Sequence, residues 1–261
     1  MKLSYLFEMA TWVVSCILFI QMLIAIWVGR WFAKHRTQEH TENPGTTAIT
    51  ASLYGLLGLL LAFSFGMSGE RFKERKHLIV DEANAINTVR LRVRIYADSI
   101  QPQFQKSFDQ YLDARIRYYN GNADTMRIQN TMQDARVHAD ALWNLAIQHS
   151  RQNANLLASN QMLLALTQMI DLSNAQFRAE YNRTPEAILT MLFILSVSAA
   201  FVAGYTSMGK GLFDWWMAIG FCLLTSVVIF FIIDLDKPRR GLITLDHNIR
   251  AIIDLREFRR E

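Results

Sequence analysis

Four long apolar windows, residues 9–28, 48–67, 187–206 and 215–233, contain no Asp, Glu, Lys or Arg. A bilayer core about 30 Å thick needs about 20 apolar helical residues, which is the length of each window. A charge at the centre of such a helix costs roughly 2.5–3.5 kcal/mol on insertion scales, so its exclusion has a physical cause. The pattern predicts an all-α membrane protein with four transmembrane helices. They form two hairpins, on either side of a polar helical domain, and nearly everything charged lies between Glu70 and Glu186 or after Ile233. The first window exceeds the 7–15 residue core of a cleaved signal peptide, and no small-x-small site follows Val28, so it reads as an uncleaved anchor ending near Gly29-Arg30-Trp31-Phe32.

The expected divisions are a first hairpin at 1–69, a helical domain at 70–184, a second hairpin at 185–235 and a tail at 236–261. Asn43-Pro44-Gly45 reads as the turn of the first hairpin and Met208-Gly209-Lys210-Gly211 as that of the second. Trp27, Trp31, Tyr54, Tyr205, Trp215 and Trp216 lie near these tips, where amphipathic rings favour the membrane interface. Lys2, Arg71, Lys73, Arg75, Lys76, Arg178, Arg183, Lys237, Arg239, Arg240 and Arg250 share the other side, against Arg30, Lys34, Arg36 and Lys210 at the tips. The positive-inside rule therefore puts both termini and the middle domain in the cytoplasm of a multi-pass inner-membrane protein.

No Pro or Gly interrupts Glu70 to Ile100, so the second membrane helix is expected to run on beyond the lipid. Phe72, Ile79, Ile86 and Val93 recur every seven residues as a packing stripe. Pro102 suits the first turn of a further helix, with Phe104, Phe108, Tyr111, Leu112 and Tyr119 on its apolar side and an end at Asn120-Gly121-Asn122. Two more helices are expected over 123–149 and 155–183, with Pro185 opening the third span.

The net charge of +4 is too small to suggest a nucleic-acid partner, and the basic residues follow the membrane edges, where topology and lipid headgroups account for them. Cys16 and Cys222 both fall within spans, so no disulfide framework is implied. The six histidines are scattered, with no HxxxH or HExxH pair to hold a metal, and no phosphate-binding glycine loop or GxSxG elbow is present. Asp81 and Glu82 are adjacent, hence about 100° apart on a helix, and do not converge as a catalytic pair. No enzyme, cofactor or metal centre is expected.

The second span holds the more informative pattern. Gly58, Ala62 and Gly66, followed by Gly69, make a small-residue row that lets helix backbones approach closely in lipid. Beside it runs a bulky row, Leu59, Phe63 and Met67, which either narrows a central space or faces lipid or a neighbouring helix. Glu70, Arg71, Glu74 and Arg75 follow, readable as i,i+4 offset charges on a solvated helix or as the charged mouth of a pore.

Phe63, then Glu70-Arg71-Phe72-Lys73-Glu74-Arg75-Lys76 and Asn84, resembles the bestrophin pattern of Gly-Phe, Arg-Trp-Trp-Glu-x-Arg-Lys and a later Asn. Ala62 replaces the glycine, and Phe72-Lys73 the tryptophans. The bacterial membrane proteins labelled bestrophin-like are more similar. Their hallmarks resemble Asp81-Glu82-Ala83-Asn84-Ala85-Ile86, Met169-Ile170-Asp171-Leu172, Asn182-Arg183-x-Pro185, Gly204-Tyr205, and Asp234-Leu235-Asp236-Lys237-Pro238-Arg239-Arg240-Gly241. The resemblance covers about 55–255.

It implies a homopentameric ion channel with inorganic ions as cargo and a hydrophobic neck on the second span. Counting back from Arg71 puts the neck at Phe63 and Leu59, with Gly55 a departure from the bulky pattern. The acidic calcium-binding run of animal bestrophins is absent. The alternative is a non-conducting membrane-anchored sensor or scaffold whose helical domain binds a cytoplasmic partner.

Overall fold

The computed structural model describes residues 9–35, 44–121, 125–207, 214–237, 239 and 246–257. Among them the long elements are helices: α1 (Thr11–His35), α2 (Pro44–Val93), α3 (Gln101–Asn120), α4 (Thr125–Ser150), α5 (Leu156–Tyr181), α6 (Glu186–Thr206), α7 (Trp215–Leu235) and α8 (Asp246–Glu257). A single 3-10 turn, Asn153–Asn155, precedes α5. Four helices, α1, α2, α6 and α7, carry runs long and apolar enough to cross a membrane. The all-helical membrane fold expected from the charge-free windows is therefore the one that forms.

One local expectation changes, at Asn43-Pro44-Gly45: Asn43 lies outside the described residues, but Pro44 and Gly45 open α2 rather than a turn. Proline suits a first helical position because its missing N–H has no intrahelical partner there. At the first span's expected end near Gly29-Arg30-Trp31-Phe32, the helix itself continues to His35. The Met208–Gly211 turn lies outside the described residues. Ahead of α7, Asp214 caps the helix, its side chain accepting from the Trp216 and Met217 backbone N–H groups at 3.0 and 3.3 Å.

The chain divides into two compact units, one of Met1–Arg71 with Arg183–Lys237, the other of Phe72–Asn182 with Pro238–Glu261. In the membrane unit, Leu18, Met22 and Ile26 of α1 pack with Leu189, Leu192 and Ala200 of α6 and with Cys222, Ile229 and Ile232 of α7. The backbones of α1 and α6 nearly touch: a Cβ on Gly29 would lie 2.2 Å from the Phe201 carbonyl oxygen, and one on Gly204 2.1 Å from that of Ile26. Lipid supplies no hydrophobic drive between helices, so such close approach is what holds them.

The helical unit has a conventional apolar core. Ile79, Ile86 and Val93 of α2 are buried there with Phe104, Phe108, Tyr111 and Leu112 of α3, Leu142 of α4 and Met162 and Met169 of α5. Helix α8 adds Ile252, and Arg90 donates to the Leu255 carbonyl at 3.4 Å.

Candidate functional site

Within the membrane unit α2 uses only one narrow side for packing. Leu57, Leu61, Ser64 and Ser68 follow a spacing of four, three and four, which keeps them on one seam; Leu57, Ser64 and Ser68 are buried and Leu61 is half-buried. Tyr54 adds a hydroxyl donated to the Ala199 carbonyl at 3.3 Å. Leu53 and Leu60 flank this seam half-buried, and the opposite side is open. Leu59 is 54% and Phe63 63% exposed, and Gly55, Ala62, Gly66 and Met67 are exposed beside them. Only 11% of the apolar run of α2 is buried, against 33–39% for those of the other three spans. The small-residue row meets no helix among the described residues, since a Cβ at Gly58, Gly66 or Gly69 would find nothing within 4 Å. Close helix contact occurs at Gly29 and Gly204 instead.

At the end of the run lies a polar knot. Arg71 Nε donates to Asp236 Oδ1 at 3.0 Å, and its Nη2 donates to Asp236 Oδ2 at 3.2 Å and to Ser68 Oγ at 2.9 Å. Arg71 Nη2 also donates to Thr184 Oγ1, and Thr184 donates to Asp236 Oδ2 through its hydroxyl and, at 2.9 Å, through its backbone N–H. The Ser68 and Thr184 hydroxyl oxygens are 3.4 Å apart. This bidentate, charge-assisted arrangement joins α2, the residue pair before α6 and the C-cap of α7. Close by, Asp234 is buried and its carbonyl accepts the Lys237 N–H at 2.9 Å, while Lys237 Nζ donates to the Met9 carbonyl at 2.5 Å.

Of the four expected mouth charges, Glu70 and Glu74 are exposed, but the two arginines point into the chain. Arg75 is buried in the helical unit, where its Nε donates to the Ala179 carbonyl at 3.0 Å and its Nη2 to the Asn182 carbonyl at 2.7 Å. It caps the C-terminus of α5, a place where a cation also suits the helix dipole. Arg71 and Arg75 thus have donors engaged inside each unit, whereas Glu70 and Glu74 are exposed.

Two further clusters lie within the helical unit. Glu82 accepts from Arg115 Nε at 2.5 Å and Nη2 at 2.7 Å, and from the Tyr119 hydroxyl at 2.6 Å. Glu180 accepts from Arg239 Nη2 at 3.0 Å and Nε, and from the Tyr118 hydroxyl. Arg239 also donates to the Tyr118 and Gly121 carbonyls at 2.7 and 3.1 Å, capping α3. The Tyr118 ring lies 4.4 Å from the Arg115 guanidinium carbon and 4.7 Å from that of Arg239, so two cations contact one ring. Burial, with Glu180 beside it, pushes the Tyr118 phenol well above its ordinary value; burial and Glu82 do the same for Tyr119. Burial alone would lower the Arg115 guanidinium, but Glu82 more than reverses it and holds the group above its ordinary value.

The family-motif residues scatter among these places. Asp81 and Asn84 are exposed on α2 and Asp171 is exposed on α5. Glu82 and Asp236 anchor ion pairs, Asp234 is buried, Arg183 is half-buried, and Asn182 contributes its carbonyl to Arg75. Pro238 lies outside the described residues. Sequence reasoning missed Ser68, Thr184, Arg115, Tyr118 and Glu180. Arg115 carried a signal: it stands four residues after Tyr111 on the apolar side of α3, where a charge requires a buried partner. Among the described residues no group of three or more His, Cys, Asp or Glu could hold a metal ion.

A family profile described as a bestrophin-like domain matches residues 16–247. The chain belongs to the bestrophin-like family. No curated protein matches it. Among solved structures, a point-substituted bacterial bestrophin homologue from Klebsiella pneumoniae is similar with a TM-score of 0.62 at 12% identity, covering 92% of this chain and 97% of its own. A second crystal structure of a bestrophin homologue from that organism gives a TM-score of 0.61 at 14% identity, over 92% of this chain and 96% of its own. A point-substituted membrane protein gives 0.62 at 13% identity, over 93% and 97%. At these identities the likeness is one of fold, and it extends over nearly the whole bestrophin-like chain.

Proposed function

We propose that this bestrophin-like protein is a subunit of an oligomeric ion channel, a pentamer by family resemblance, with its hydrophobic neck on α2. Leu59 and Phe63 form the neck, flanked by Gly55 and Met67. The observation that carries the reading is the open apolar stripe of α2, left uncovered by its own membrane unit while one seam alone is packed. The glycines beside it leave room for a second backbone, as helix association in lipid requires. A ring of Phe63 side chains would gate by dewetting, since ions do not enter a narrow apolar passage without water. Termini and helical unit lie in the cytoplasm by the positive-inside argument. Glu70 and Lys73 are both exposed at the end of the run, one of each sign, so the ion is identified by reversal potentials and not by this charge.

The test is ion flux from purified protein in liposomes, together with particle symmetry in detergent. Wild type conducts and Phe63→Ala conducts more. A folded oligomer without flux in either form removes the channel reading. The scaffold alternative draws on Leu157 and Leu164, exposed seven residues apart on α5. It predicts a cytoplasmic partner retained when Leu59 and Phe63 are replaced and lost when the α5 surface is.

A further inference from the structure

Helix α2 has an unusual mechanical position in the membrane unit. Its packed seam ends in serines, Ser64 and Ser68, whose small side chains interlock weakly with neighbours. Toward this end the seam is keyed less by shape than at Leu57 and Leu61, and directional bonds fix the orientation of α2 there. Polar attachments along its membrane half include the Tyr54–Ala199 bond at 3.3 Å and the knot at Arg71. The knot is the directional one. A planar guanidinium fork meets a carboxylate side-on through two parallel bonds, which specifies an angle as well as a distance. Asp236 is itself held by the Thr184 N–H and hydroxyl, and Thr184 stands just ahead of α6, so the fork is referred to two other helices.

Phe63 lies eight residues before Arg71, about 12 Å along the helix axis. A turn of α2 at Arg71 is carried to Phe63, because both lie on one continuous helix. We infer that the Ser68–Arg71–Thr184–Asp236 knot sets the rotational register of α2, with Asp236 as the positioning residue that decides which side chains face the neck. The inference rests on the channel reading for its consequence, but the rotation itself can be measured without flux.

The experiment uses the full chain in liposomes with Cys16→Ser and Cys222→Ala as background. Single cysteines replace Leu57 and Ser64 on the seam, and Leu59 and Phe63 on the open side; each carries a nitroxide label, and its collision rate with dissolved oxygen, which reaches lipid-facing and water-facing sites alike, is compared. With the knot intact, labels at the open positions collide faster than those at the seam positions. In Asp236→Asn that contrast is lost, and the protected phase of the helix shifts. Arg71→Lys keeps the charge and removes the fork, so it loses the contrast as well if orientation is what the knot supplies. Thr184→Val, a milder change, serves where Asp236→Asn does not fold. Unchanged contrast in folded Asp236→Asn or Thr184→Val overturns the inference, as does contrast retained in Arg71→Lys. Absence of flux with a collapsed contrast overturns the channel reading and leaves the positioning role standing.

Discussion

The membrane unit and the helical unit solve the same packing problem with different materials. In the membrane unit, Gly29 and Gly204 bring the α1 and α6 backbones into contact, and the one fully described ion pair, Arg71–Asp236, stands where the apolar runs end. In the helical unit, a large aliphatic and aromatic core surrounds two Arg–Glu pairs, of which Arg115–Glu82 is wholly buried. The difference follows from solvent. Water drives apolar burial in the helical unit, whose core can enclose a charge if every donor and acceptor is matched. Lipid gives no such drive, so proximity of small residues does the holding and charge is kept to the edge.

The comparison breaks most visibly at Glu82. Glu82→Ala leaves the Arg115 guanidinium buried without its carboxylate, and removal of one partner of a buried pair costs about 3–5 kcal/mol. The expected result is loss of hydrogen-exchange protection across α2 beyond Phe72, α3 and α5, with protection in α1, α6 and α7 retained. A double change, Glu82→Leu with Arg115→Met, recovers most of it, because apolar replacements of similar volume need no partner. Equal loss in single and double variants would show that the pair is not what stabilises this core.

A change at the membrane unit tests the other half. Gly204→Leu puts a side chain where even a Cβ would be 2.1 Å from the Ile26 carbonyl oxygen, so α1 and α6 must separate. Overpacking of this kind costs typically about 1–3 kcal/mol and more when backbone is the obstacle. Detergent-purified Gly204→Leu should lose thermal stability measurably, while Gly58→Leu on the open side of α2 changes the single chain by less than about 0.5 kcal/mol. Equal effects at both positions would mean that the α1–α6 contact carries no special weight.

How much of this was legible beforehand differs between the units for the same reason. Spans are visible because charge is excluded from lipid at high cost, and periodicity exposes the buried residues Ile79, Ile86 and Val93 because the core is apolar. The α2 rows were visible too, but a row of small residues does not announce its partner: Gly58, Ala62 and Gly66 drew attention, whereas the contacting glycines were the isolated Gly29 and Gly204. Partners of buried charges are harder still. Arg71 and Asp236 are 165 residues apart, as are no neighbours of any local motif, and Arg239 meets Glu180 across 59. Nothing in local spacing marks Arg71 and Arg75 as inward-facing on a helix that also carries the exposed Glu70 and Glu74.

The smallest expected effect concerns the tyrosines of the helical unit and is read by pH. Tyr118 and Tyr119 have phenols raised above the ordinary value of 10.0, through burial first and the neighbouring carboxylates second. The folded state therefore keeps protons that the unfolded chain releases from about pH 10 upward. Between those limits the unfolded state binds fewer protons, so stability falls as pH rises; the contribution is fully present below about pH 10 and is lost above it. Phenolate absorbance should show these two groups ionising only as the helical unit unfolds. Tyr118→Phe keeps the ring between the two guanidiniums and removes the bond to Glu180, which Arg239 still occupies, so the cost at neutral pH is about 1.5 kcal/mol. The same variant flattens the alkaline loss, since one of the coupled protons is gone. Titration of both phenols near pH 10 in the folded protein would mean that the clusters admit water, and the contrast drawn between a sealed core and a membrane-edge knot would fail.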